Sequence, residues 1–158
     1  MIEQRRFGKT LIFIPTFNDV ELLAAIIEDV ITLGDSYVTL IIDDGSLPRL
    51  HAAALPDGCL LFSMPNNMGL GMCSHIALDH ALKYGYGALL RIDFDGQHPV
   101  AMIPELLLSI QNSDADIVVG TKKIWRRIRH GEYFPKLGEI LFFHNCRLDH
   151  TRWRTERC

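Results

Sequence analysis

The chain has 158 residues and a mass of 17.9 kDa, enough for one domain with a substantial core. Its 48% hydrophobic and 22% charged content are those of an ordinary soluble globular protein, and it holds no internal repeat or low-complexity segment. The net charge of -3 conceals an asymmetry: 6 Lys/Arg stand against 15 Asp/Glu through Gly120, and 10 against 4 from Thr121 onward. An acidic body with a basic tail points the tail towards phosphate or an anionic membrane face, or leaves it a solvated basic helix.

Cys59, Cys73, Cys146 and Cys158 show no C-x-x-C spacing and no metal-ligand rhythm with the seven histidines, which suits reduced thiols in the cytoplasm. No apolar run approaches a membrane span, and Met1–Arg6 is followed by too short an apolar stretch for a secretory signal. The expected location is cytoplasmic, with peripheral contact at the membrane face through the basic tail.

Thr10-Leu11-Ile12-Phe13-Ile14-Pro15 predicts a first strand. Asn18 reads as the N-cap of a helix, with Glu21 three residues on. Leu23, Ile26, Ile27, Val30 and Ile31 recur at helical spacing before Gly34. Tyr37–Ile42 is a second strand running into Asp43-Asp44-Gly45-Ser46, and Cys59–Ser63 a third, after a weak linker helix near Leu50–Leu55. A helix then opens from Pro65–Gly71, with Cys73, Ala77, Ala81 and Tyr84 on one face, and ends at Gly85 and Gly87. Gly87–Leu90 begins a fourth strand, a helix spans about Pro99 to Gln111 with Leu106, Leu107 and Ile110 inward, and Ala115–Gly120 is a fifth strand. Phe134, Leu137, Ile140, Leu141 and Phe142 fit an amphipathic helix, and the end beyond Asn145 has no periodic pattern.

Strands alternating with helices at this spacing predict an α/β domain with a mostly parallel, twisted sheet and helices on both faces. A doubly wound strand order of 3-2-1-4 puts strands one and four together at the switch point, where ligands bind beyond the C-terminal strand ends. Pro15-Thr16, Asp43-Asp44, Asn66–Gly71 and Asp93–Gln97 then gather in one cleft.

The fourth strand runs out into Arg91-Ile92-Asp93-Phe94-Asp95-Gly96-Gln97-His98-Pro99. Residues two apart on a strand share a side, so Asp93 and Asp95 aim into one small volume. Two carboxylates so close repel unless a cation lies between them. Mg²⁺ or Mn²⁺ suits such oxygen ligands, usually shared with a substrate phosphate, and Gln97 offers a neutral third oxygen. The competing reading is a turn in which both aspartates cap backbone amides. Asp43-Asp44-Gly45-Ser46 fits either a ribose- or base-binding strand end or a plain Asp-Gly turn. Asn66–Gly71 could offer backbone amides and a helix start to phosphate, and alone is as readily a tight turn. His75 and His80 fall on different helical faces and read as structural, His98 as an ordering residue of the metal loop, and Met72 and Cys73 as packing residues.

Ile14-Pro15-Thr16-Phe17-Asn18-Asp19, Ile42-Asp43-Asp44-Gly45-Ser46, Asn67-Met68-Gly69-Leu70-Gly71, Asp93–Pro99 and Ile117-Val118-Val119-Gly120-Thr121-Lys122 together resemble glycosyltransferase family 2, in order and spacing, over residues 7–122. The nearest likeness is to the polyprenol-phosphate (dolichol-phosphate) mannosyl- and glucosyltransferases, where Gly-Gln-His-Pro follows the aspartates. The resemblance implies a GT-A nucleotide-diphospho-sugar domain at residues 1–122 and an incomplete basic acceptor-side segment and tail at 123–158. It implies Pro15, Phe17 and Asp19 around the base, Asp43 or Asp44 on the nucleoside, and Asn67, Gly69 and Gly71 on the donor. It makes Asp93 and Asp95 the D-x-D pair holding Mg²⁺ or Mn²⁺, with Gln97 beside them. Lys122 stands where the family usually has arginine, keeping the charge without the bidentate fork.

The expected activity is inverting transfer of a hexose from a GDP-mannose- or UDP-glucose-type donor to a polyprenyl phosphate, in cell-envelope polysaccharide synthesis and without a nucleic-acid partner. The alternatives are a shortened, inactive sugar-nucleotide binder and a nucleotidyltransferase-like phosphate binder.

Overall fold

The computed structural model describes residues 8–18, 23–93, 100–111, 117–120, 126–128 and 140–144, with side chains as far as Ile110. Four runs of branched and aromatic residues form β1 (Thr10–Thr16), β2 (Tyr37–Asp43), β3 (Leu60–Ser63) and β4 (Ala88–Arg91). They pair in parallel in the order β3-β2-β1-β4, as the sequence predicts. Three helices, α1 (Leu23–Ile31), α2 (Leu70–Tyr84) and α3 (Ile103–Gln111), connect them, with 3₁₀ turns at Ala52–Ala54 and Val100–Met102.

The period-2 alternation of a strand builds two cores from one sheet. Ile12, Ile14, Ile41, Leu90 and Ile92 face Leu23 and Ile27 of α1 and Ile103, Leu106 and Ile110 of α3. Leu11, Phe13, Leu40, Ile42 and Leu89 face Cys73, Ala77 and Ala81 of α2. Small residues on the inner stripe of α2 let the helix lie close to the bulky strand residues. Truncating a fully buried ring such as Phe13 costs on the order of 3 to 5 kcal/mol.

Three predicted core positions lie outside these cores. Ile31, the last residue of α1, and Met72 are exposed. Tyr84, 61% exposed, lies tilted against His80 at the surface, with ring centroids 4.5 Å apart. Gly85 ends α2 with φ 71°, its amide reaching the Ala81 and Leu82 carbonyls, a left-handed cap that other residues adopt at a cost.

β5 (Ile117–Gly120), β6 (Arg126–Ile128) and β7 (Ile140–His144) extend the sheet to β3-β2-β1-β4-β7-β5-β6. β7 lies between β4 and β5, antiparallel to both, and β6 is antiparallel to β5. β5 therefore runs in the direction of the first four strands, while the pairings made by β7 and β6 are antiparallel. The helix expected through Phe142 is corrected here: Ile140–Phe142 lie in a strand, because its branched and aromatic residues find partners on both sides. Phe134 and Leu137 lie outside the described residues. β6 and β7, beyond residue 122, join the same sheet as β1 to β5. Among the described residues, no helix is long and apolar enough to cross a membrane.

Candidate functional site

The register fixes what meets at the C-terminal edge of the sheet. Thr16 pairs with Asp43, and Phe13 with Arg91. The Ile92 amide still donates to the Phe13 carbonyl at 3.1 Å, so continuing the register by two residues sets Asp93 beside Pro15. β2 lies on one side of β1 and β4 on the other, so this edge is the switch point where doubly wound folds bind ligands.

Asp93 projects from the end of β4 on the same side as Arg91, two residues earlier. Arg91 Nη2 donates to Asp93 Oδ2 at 3.0 Å. Nε lies 2.9 Å from Oδ1, as an ion-pair contact without the alignment of a hydrogen bond. The guanidinium therefore embraces both carboxylate oxygens. Arg91 is buried (7% exposed), while Asp93 is partly open to solvent. The sequence reading overlooked Arg91, though a visible signal was there: a charge interrupting the apolar face begun by Leu89, two residues before an aspartate.

Asp43 ends β2 and Asp44 follows it, and the two carboxylates serve different loops. Asp43 is 0% exposed, and its two oxygens accept the amides of Ser46 at 2.9 Å and Leu50 at 3.3 Å. In the structure its enclosed carboxylate shapes its own loop through these two amides. Asp44 reaches the next loop, where Oδ1 accepts the Met68 amide at 2.6 Å and Oδ2 the Gly69 amide at 2.9 Å. It too spends both oxygens on backbone, and the amides of Met68 and Gly69, offered in the sequence reading to a phosphate, point instead at Asp44.

Gly45, between them and Ser46, has φ +79°. A Cβ there would stand 2.6 Å from the Asn67 nitrogen and 2.8 Å from the Asn66 Cα. Only glycine lets these two loops touch. Asn67 is exposed, Gly69 has φ 85°, and Gly71 lies in the first turn of α2.

The β1 loop is clasped to the same assembly. The Asn18 amide donates to Ser46 Oγ and the Leu47 amide to Asn18 Oδ1, both at 2.8 Å. Asn18 has φ 55°, a left-handed conformation that asparagine tolerates. Its expected role as a helix N-cap is corrected to a loop-to-loop clasp. Beside it Phe17 is 46% exposed, and Pro15, which the register sets beside Asp93, is half-buried.

Burial and the nearby Asp44 charge push the Cys73 thiol up to about 11. Burial and Lys83 lower His80, whose ring stacks with Tyr86 and lies tilted against Tyr84, and exposed His75 pairs with Asp79 at 3.5 Å. Asp19, Asp95, Gln97, His98 and Lys122 lie outside the described residues.

Among the described residues, no three His, Cys, Asp or Glu side chains cluster as a metal site. Asp93 is a hard oxygen donor at the open edge of the sheet. One or two carboxylates with substrate phosphates suffice for Mg²⁺, so the described donor fits as one member of a shared set, with Arg91 on its other side.

Residues 11–147 match the family model described as Glycosyl transferase family 2. The chain is 30% identical over 135 residues to a polyprenol monophosphomannose synthase of Mycolicibacterium smegmatis, covering 76% of this chain and 51% of that protein. It is 28% identical over 125 residues to an undecaprenyl-phosphate mannosyltransferase of Micrococcus luteus, covering 73% and 49%. It thus spans about half the length of these curated relatives. A crystal structure of a candidate nucleotide-diphospho-sugar transferase from Desulfovibrio desulfuricans shares the fold, with a TM-score of 0.52, 13% identity and coverage of 87% of this chain and 64% of that one.

Proposed function

The chain belongs to glycosyltransferase family 2, and on that premise we propose that it transfers a hexose, with inversion, from a GDP-mannose- or UDP-glucose-type donor to a polyprenyl phosphate. The observation that carries the reading is the position of Asp93 at the switch-point edge, beside the β1 loop. The names of the two curated relatives, a polyprenol monophosphomannose synthase and an undecaprenyl-phosphate mannosyltransferase, support this acceptor class.

In this reading Pro15, Phe17 and Asp19 line the base. Asp43 and Asp44 hold the loops around it, and Asn67, Gly69 and Gly71 border the donor. Asp93, Asp95 and Gln97 would hold Mg²⁺ or Mn²⁺. Bound there, the ion would offset the charge gathering on the departing diphosphate. Lys122 supplies a further positive charge to phosphate. An oxygen of the acceptor phosphate attacks the anomeric carbon from the face opposite the leaving group. The bond from that carbon to the diphosphate breaks, and its electron pair leaves with the nucleotide. A phosphate acceptor is already ionised near neutral pH, so the step needs no general base. The proposed location is the cytoplasm, peripherally at the membrane face through the basic tail.

Incubation with radiolabelled GDP-mannose and UDP-glucose, polyprenyl phosphate and Mn²⁺ tests the proposal through labelled lipid product. A second reading, sugar-nucleotide binding without transfer, is prompted by the half-length coverage of the relatives. It predicts nucleotide binding with no labelled lipid.

A further inference from the structure

Arg91 stands at a position where a leucine would be simpler. Its side chain falls on the face of β4 shared with Leu89, opposite Phe13 and towards α2. Burying a guanidinium is expensive, and a buried ion pair is often no more stabilising than well-packed apolar residues. Core stability therefore does not explain the residue. What the guanidinium provides is geometric: two contacts, at 2.9 and 3.0 Å, to both oxygens of Asp93. Asp93 is at the end of its strand and partly exposed, and among the described residues this fork is what keeps its carboxylate from turning.

We infer that Arg91 is a positioning residue for the proposed transfer: from inside the sheet it fixes the plane of the Asp93 carboxylate, so that the edge facing the cleft is set before any cation or diphosphate arrives. Arg91 acts through Asp93 and touches no substrate. The inference rests on the functional reading above and adds to it a residue outside the D-x-D pair. Partners that orient a metal-binding carboxylate typically change metal affinity by about 10- to 100-fold when removed. Lysine would keep the charge and lose the planar fork, so Arg91→Lys separates orientation from charge.

The test is Mn²⁺ binding, followed by the electron paramagnetic resonance signal of free Mn²⁺, in the presence of saturating GDP or UDP. It compares the wild-type chain with Arg91→Lys, Arg91→Met, Asp93→Asn and the Arg91→Lys/Asp93→Asn double variant. Both Arg91 variants are expected to weaken Mn²⁺ binding at least about tenfold. In the Asp93→Asn background Arg91→Lys should add nothing, because the residue it positions is gone. Wild-type affinity in Arg91→Lys, or an equal loss with and without Asp93→Asn, would overturn the inference. Should Arg91→Met not fold, the Arg91→Lys cycle decides alone. A wild-type chain that binds Mn²⁺ with neither nucleotide would overturn the functional reading, and this inference with it.

Discussion

Asp44 holds Met68 in place across two loops: its Oδ1 accepts the Met68 amide at 2.6 Å while its Oδ2 accepts that of Gly69 at 2.9 Å. One buried carboxylate at the end of β2 thus sets the entry to α2.

Replacing Asp44 tests that relationship through both stability and binding. Asp44→Ala leaves two backbone donors without their acceptor and should cost roughly 1 to 3 kcal/mol. Asp44→Asn should be nearly as damaging, because its amide group turns one of the two contacts into donor facing donor. Urea unfolding measures the loss. A wild-type midpoint for Asp44→Asn would show that the charge and the second acceptor are dispensable.

Gly45 tolerates no side chain. Its φ of +79° costs an L-residue about 1 to 2 kcal/mol, and the Asn66–Asn67 backbone blocks the space a Cβ would need. Gly45→Ala should therefore lower stability by more than about 2 kcal/mol, and nucleotide affinity should fall as the two loops part. Thermal melting and a nucleotide titration check the two effects.

The Asn18 clasp can be opened without strain. Asn18→Gly keeps the left-handed backbone at φ 55° and deletes the acceptor for the Leu47 amide. The loss in stability should stay within about 1 kcal/mol, the net worth of one exposed hydrogen bond. Hydrogen exchange at the Leu47 amide should accelerate clearly, and unchanged exchange would show that the clasp does not hold the loop.

Cys73 makes stability depend on alkaline pH. Its thiol is raised from 9.0 to about 11 in the fold, by burial first and the Asp44 charge second. Above pH 9 the unfolded thiol loses its proton while the folded one keeps it, so the unfolded chain binds fewer protons and stability falls with pH. The contribution is fully present below pH 9 and lost as pH rises towards 11. Urea midpoints between pH 8 and 10.5 should fall more steeply in the wild type than in Cys73→Ala.

The parallel half of the fold was legible because local pattern and long-range pairing agree there. Leu11–Ile14 and Leu40–Ile42 are apolar runs that can only be buried strands, and Leu23, Ile26, Ile27 and Val30 repeat at helical pitch. β7 was hidden because Leu137, Ile140 and Leu141 also satisfy helical spacing. The partners that decide in favour of a strand, Leu90 with Phe142 and Val118 with Phe142, are distant in sequence. At the site, adjacent acids drew attention to Asp43 and Asp44 as ligand contacts, but periodicity cannot tell a carboxylate facing a ligand from one facing amides of another loop. Arg91 is hidden for a different reason: its significance depends on its being buried, which a charged residue at the end of an apolar run does not announce.

The central claim is that a nucleotide-diphosphate and a divalent cation meet at the strand end that carries Asp93. A melting-temperature panel of GDP, UDP and their sugar conjugates, with and without Mn²⁺, tests it most directly, using Asp93→Asn and Asp95→Asn as controls. One nucleotide series should raise the melting temperature only when Mn²⁺ is present, and either substitution should abolish the shift. A shift that ignores Mn²⁺ or survives both substitutions, or no shift with any nucleotide, would contradict it.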